Sequence, residues 1–340
     1  MRYSYFKIGG WALFVFIVLQ VSCGKKKVDL AAPSVTEDTY YNSEVSFTKT
    51  VYGIYARLTD WYNYNGGAGA VQLPVMANLP GDDVTVTSSD PFEHFGPLNA
   101  SDGRNSGFFT SAYQVVSRAN TLLQKQSQES GVYQTPNLKA NHRGEALFLR
   151  SLAFYYLWNF YGKAPLVTER ITTVEQWTTP ESQGTQMIDT VIRDLQEAAN
   201  ILPATWPASQ RGRATKNSAN GLLAKALMAR AAFGGDAADY TAAVAAVNAI
   251  TGAQLVSNFD DNFAVDTENN TESLFEFQAS ATPGDNVWLP NEFDAAIGRM
   301  GYYSGFYDNN WALFGAAIHT ATQKLFDAFD PADPRRNLTL

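Results

Sequence analysis

Cysteine is all but missing, since the 340-residue chain carries one, Cys23. A single thiol closes no intramolecular disulfide, so the fold must be held by its own core. Histidine is nearly as scarce: His94, His142 and His319 stand far apart, and no HExxH, paired cysteines or His-x-His spacing occurs. That pattern argues against a zinc site. A Walker-type phosphate loop and a dinucleotide fingerprint are lacking too, because Gly66, Gly67 and Gly69 have the spacing of a flexible turn. No cofactor is expected. No GxSxG elbow presents a serine nucleophile. Charged residues make up only 17% of the chain, against ~25% in ordinary soluble domains. The balance is acidic, net −8, which speaks against a nucleic-acid partner.

What is present begins at the N-terminus. Arg2 and Lys7 precede an apolar stretch from Ile8 to Val21, about 14 residues where a spanning helix needs ~20. The stretch halts at Ser22-Cys23-Gly24, which resembles the lipobox of bacterial lipoproteins, although Gln20 stands where the strict pattern has leucine. The expectation is a signal peptide over 1–22 and Cys23 as the site of lipid attachment. Lys25, Lys26 and Lys27 then read as a soluble tether, too few for a polybasic membrane cluster. Removing 1–22 takes away two positive charges and no acid, so the remaining chain moves from −8 to about −10.

Residues 23–340 are read as a single helical domain. The segment from Ser43 carries Val45, Val51, Tyr52, Ile54, Tyr55 and Leu58 at helical spacing, with Asn42 or Ser43 as cap. A second helix has Phe109, Tyr113, Val116, Asn120 and Leu123; a third has Leu149, Leu152, Tyr156 and Phe160 and stops at Gly162 and Pro165. Ile188, Val191, Leu195 and Leu202 mark a fourth. Two alanine-rich helices follow, one ended by Gly234 and Gly235, the other by Gly252. Short turns joining the last four would give two helical hairpins packed side by side from about Arg143 to Ala253, as in tetratricopeptide (TPR) solenoids. The fold class expected is all-α, TPR-like, with long irregular loops and little β structure beyond a strand-like "SLFEFQ". A last helix starts near Thr320 or Thr322, and "DPADPRRNLTL" closes no pattern, so the chain is expected to be a truncated one.

The loops hold aromatic rings among Gly, Pro and Asn. Trp61, Phe92 and Phe95 lie in or beside the 63–105 stretch, and Tyr302, Tyr303 and Trp311 in a late one. Flat rings beside amides suit sugars, whose C–H faces stack while Asn309 or Asn310 binds hydroxyls. Packing of each loop ring onto the body is the competing reading. Asp260, Asp261, Asp266, Glu268 and Glu272 could offer oxygen ligands, but the calcium-loop pattern fails at Ala264, so they read as a solvated turn and no metal is expected.

Several blocks carry a family likeness. "RGEALFLRSLAFYYLWNFYGKAPLVTE", "GRATKNSANGLLAKALMARA", "VIRDLQEAANILP", "AYQVVSRANTLL" and "FDAFDPADPRR" occur in an order that resembles the SusD/RagB-like outer-membrane lipoproteins. Glu145, Arg150, Gly162 and Pro165 match its central segment, and Glu145 and Arg150 look structural, paired or solvated on a helix. The resemblance implies a non-enzymatic, surface-exposed lipoprotein of the cell outer membrane. It would capture a glycan or oligosaccharide and deliver it to a SusC-like TonB-dependent transporter. Peptide capture by a relative of the same family, a TPR-like interaction scaffold and a hydrolase remain open alternatives.

Overall fold

The computed structural model describes residues 36–62, 72–86, 90–96, 98–100, 102–278 and 319–339. Two compact units divide the chain, 1–43 and 44–340. In the first, α1 (Glu37–Tyr40) starts where the Thr39 hydroxyl accepts the Thr36 N–H at 3.0 Å.

The second unit is built on α2 (Glu44–Tyr55), α6 (Gly103–Gln128), α7 (Leu138–Tyr161), α8 (Gln186–Ile201), α9 (Lys216–Ala232) and α10 (Ala238–Asn248). Between α2 and α6 stand three shorter helices, α3 (Thr59–Tyr62), α4 (Gln72–Asn78) and α5 (Pro91–His94). The 63–105 region is therefore more ordered in its described parts than an open loop.

Helix α7 packs against α6 and α8, α9 against α8, and α10 against α9. Enclosure explains why its buried residues form no stripe: from Gly144 to Ser151 every side chain is buried. The expected Leu152, Tyr156 and Phe160 are only half-buried. At Gly144 an added Cβ would come within 2.7 Å of the Leu202 side chain, so glycine lets the start of α7 meet the end of α8. Helix α7 ends at Gly162, whose φ of +67° suits glycine.

The expected stripe on α8 is found, with Ile188, Val191, Leu195 and the following Leu202 all buried. On α6 the expected Val116 and Asn120 are buried, but the buried face is centred about one residue earlier: Phe108, Ala112, Val115, Ala119 and Leu122 are buried too, while Phe109, Tyr113 and Leu123 sit at its edge. The offset satisfies polar groups, because Tyr113 thereby donates its hydroxyl to the Pro165 carbonyl at 2.6 Å. On α9 and α10 the alanines Ala219, Ala226, Ala243 and Ala246 are buried as small contacts should be.

Two expectations fail. Short turns join neither α7 to α8 nor α8 to α9, since residues 162–185 and 202–215 intervene; only 233–237 is tight. "SLFEFQ" forms no strand: it meets α9 at Leu274, whose carbonyl accepts from the Ser218 hydroxyl at 2.7 Å, and α7 at Phe275, whose ring lies 4.9 Å from that of Phe148. Among the described residues the one sheet pairs β1 (Val84–Val86) antiparallel with β2 (His319–Ala321), Val84 opposite Ala321. Next comes α11 (Gln323–Ala328), capped by Thr322, whose hydroxyl accepts the Leu325 N–H.

Candidate functional site: a groove over a buried ion pair

Three elements meet at Glu145. The carboxylate is fully buried in α7, and Arg213, in the loop before α9, donates from Nε and Nη2 to its two oxygens at 2.8 and 2.6 Å. The Tyr55 hydroxyl at the end of α2 donates to the same carboxylate at 2.9 Å and accepts the Ala214 N–H at 2.8 Å. Thus the Glu of "RGEA" and the Arg of "GRAT", far apart in sequence, are partners in space. Burial pushes the Glu145 carboxyl up, opposed by Arg213 and Tyr55. Burial and then Glu145 raise the Tyr55 hydroxyl well above its ordinary range. Both groups are spent on each other, so the site offers rigidity and no proton shuttle.

Above this floor the Arg213 guanidinium lies 3.6 Å from the Trp206 ring centroid, and the indole N–H donates to the Ala214 carbonyl at 2.8 Å. Gly212, with φ +88°, lets Gln278 pass: an added Cβ would sit 2.1 Å from its side chain. On one side is a cavity of about 400 Å³ lined by Trp206, Arg211, Asn217, Asn269, Ser273 and Glu276. On the other is one of about 460 Å³ lined by Tyr52, Tyr55, Thr59, Phe275 and Gln278. Aromatic walls with amides and one exposed guanidinium suit a polar, ring-containing ligand. Among the described lining residues Glu276 is the one carboxylate, and its two oxygens share the Asn269 N–H at 2.9 Å. The pair of facing carboxylates that glycoside hydrolysis needs is not assembled here.

Arg150, the other charged residue of the central segment, is also paired. It reaches Asp194 of α8 at 2.6 and 2.9 Å, the Asn120 side-chain carbonyl at 2.8 Å and the Thr168 carbonyl at 2.9 Å. Asn120 in turn donates to the Val167 and Glu169 carbonyls at 2.8 and 3.1 Å. The loop after α7 is thereby latched to α6, α7 and α8.

The residues expected from sequence fall into three groups. Cys23, Tyr302, Tyr303, Asn309, Asn310 and Trp311 lie outside the described residues. Trp61 and Phe92 are core instead of platform. Trp61 is 1% exposed, its ring 5.4 Å from Phe108 and 5.8 Å from Tyr156, and Phe92 is 6% exposed beneath the Arg104 guanidinium at 4.6 Å. Neither ring has a free face. Phe95 is 66% exposed on a left-handed turn, φ +47°. In the acidic stretch, Glu272 accepts from the Val256 N–H and the Asn262 amide at 3.1 and 3.2 Å, a loop-bracing role. Among the described residues no cluster of His, Cys, Asp and Glu is arranged to hold a metal, and no helix is long and apolar enough to cross a membrane. Sequence reading missed Trp206 and Arg213 as groove formers; the Trp-Pro pair ahead of "GRAT" was the available signal.

Comparison with known proteins adds a family. Residues 34–228, more than half of the chain, match the model of the SusD-like_3 family, described as starch-binding and associating with the outer membrane. A SusD-like protein of Bacteroides ovatus is 25% identical over 77% of this chain and 48% of its own length. Two solved structures share the fold. A SusD-like protein of Bacteroides fragilis superposes with a TM-score of 0.67 at 21% identity, over 87% of this chain and 54% of that one. Surface glycan-binding protein A of Bacteroides thetaiotaomicron, solved with laminarihexaose, reaches 0.70 at 17% identity over 87% and 62%. The chain spans about half the length of the curated relatives it matches.

Proposed function

Since the chain belongs to the SusD-like_3 family, whose members are described as starch-binding and outer-membrane-associated, we propose that it captures a glycan at the cell surface without turning it over. The observation that carries this reading is the family match together with the fold shared with a protein that holds laminarihexaose. The groove over Arg213 supports it, because aromatic and amide walls with a lone carboxylate suit holding a saccharide better than cleaving one.

In this proposal residues 1–22 are a signal peptide and the domain 23–340 is anchored by lipid on Cys23. The captured oligosaccharide passes to a TonB-dependent transporter of the outer membrane. Ring contacts come from Tyr302, Tyr303 and Trp311 of the late loop, with Asn309 or Asn310 binding hydroxyls; Phe95 is the early ring with an exposed face.

Titration calorimetry of the chain against laminarihexaose, maltohexaose and a set of peptides tests it. Saccharide binding that weakens roughly 2–10-fold in Tyr302→Ala, Tyr303→Ala or Trp311→Ala supports both ligand class and site. Binding to peptides alone would reject the glycan reading, and released reducing ends would reject the non-enzymatic one.

A further inference from the structure

The latched loop after α7 carries an exposed tryptophan. Trp177 is 72% exposed, the most exposed tryptophan among the described residues, and Val174 is 65% exposed. Both belong to a 3₁₀ turn, Val174–Trp177. With three residues per turn, side chains at i and i+3 eclipse, so Val174 and Trp177 share one face. An indole left in water contributes little to folding, since apolar area stabilises only when it is buried.

The turn is nonetheless held tightly. The Gln176 side-chain carbonyl accepts the Thr172 and Thr173 N–H groups at 2.6 and 3.1 Å, and Thr179 donates its hydroxyl to the Gln176 carbonyl at 3.2 Å. Ser182 N–H to Ala164 C=O, 2.9 Å, closes the base of the loop, and Arg150 fixes it to the helices. The ring is therefore presented by a braced support, which lowers the ordering cost of any contact made on it.

We propose that Trp177 is a second carbohydrate contact point, a platform on which one sugar ring of a long glycan stacks, separate from the groove over Arg213. This rests on the glycan reading above. The extent of the patch favours sugar: with Ile171, 40% exposed in the same loop, it comprises three apolar side chains, and the residues adjoining Val174 and Trp177, Thr173, Glu175, Gln176 and Thr178, are polar. Three apolar side chains fall well short of a protein interface, which takes ~800 Å² and 20–30 residues a side. The exposed threonine hydroxyls and the Glu175 carboxylate of the same turn keep lone pairs that can accept hydrogen bonds from sugar hydroxyls.

The test uses the full chain with laminarin and starch polysaccharides in affinity electrophoresis, and with laminarihexaose and maltohexaose in calorimetry. Trp177→Ala, with thermal unfolding unchanged, is expected to weaken retention by a bound polysaccharide about 3–10-fold, and Trp177→Phe by less. Wild-type retention that Trp177→Ala leaves within two-fold overturns this site and leaves the glycan reading standing. Failure of the wild type to bind any of the four probes overturns both.

Discussion

Arg213 grips Glu145 with two of its donors while its guanidinium plane covers Trp206 at 3.6 Å. One side chain thus fixes the buried core of α7 and the floor of a surface groove. Loss of Glu145 leaves a guanidinium buried without its counter-charge, a change that typically costs about 3–5 kcal/mol. Glu145→Ala should lower the urea midpoint accordingly. A Glu145→Leu, Arg213→Met pair, which removes both charges, should recover much of the loss. Equal stability of Glu145→Ala and wild type would show that the pair contributes nothing.

His142 gives a pH dependence. Its ring is fully buried between the Thr48 hydroxyl at 3.4 Å and the Tyr133 hydroxyl at 3.0 Å, and burial holds its pKa down to about 4. The unfolded chain, near 6.5, takes the proton first, so stability from the neutral ring is complete above that value and is lost as pH falls toward 4. Between pH 7 and pH 5 the loss should be about 2 kcal/mol. His142→Gln should flatten that part of the urea-stability profile, and an unchanged slope would assign the effect to other groups.

Packing of the alanine helices is tested by size. Ala226 on α9 and Ala243 on α10 are buried. Replacing either with Leu should cost roughly 1–3 kcal/mol by overpacking. Thermal unfolding indistinguishable from wild type in both variants would reject close packing through these faces.

Anchoring is tested at Cys23. In the native host, Cys23→Ala should move the protein from the outer-membrane fraction to the soluble or inner-membrane fraction, because lasting attachment requires more than one acyl chain. Retention at the outer membrane, or metabolic fatty-acid labelling that persists in the variant, would refute lipid attachment there.

Periodic helices were the readable part of the sequence. Val191 and Leu195 lie on the buried face where their spacing put them, since one-sided burial leaves a 3.6-residue pattern. That pattern vanishes in α7, which is enclosed by α6 and α8, and it holds only in part at α6, where Val116 and Asn120 are buried but Tyr113 sits at the edge and donates to the Pro165 carbonyl. Trp61 was legible as aromatic but not as core, because its enclosing partners Phe108 and Tyr156 come from other helices. The groove was hidden for the same reason: Glu145 and Arg213 are 68 residues apart and nothing local marks them as partners. Trp177 has no sequence signal, because a single 3₁₀ turn among threonines carries no periodicity.

The strand pair has a consequence for biogenesis. Val84–Val86 finds its partner only at His319–Ala321, whereas α6 to α10 can close on neighbours as each emerges. The first strand gains its partner only once the chain has been delivered beyond His319. Until then a Val-Thr-Val edge stays open to any other extended chain. Closure of this pair is thus a late, long-range step, and until it happens Val84–Val86 is the edge that a holdase would have reason to shield.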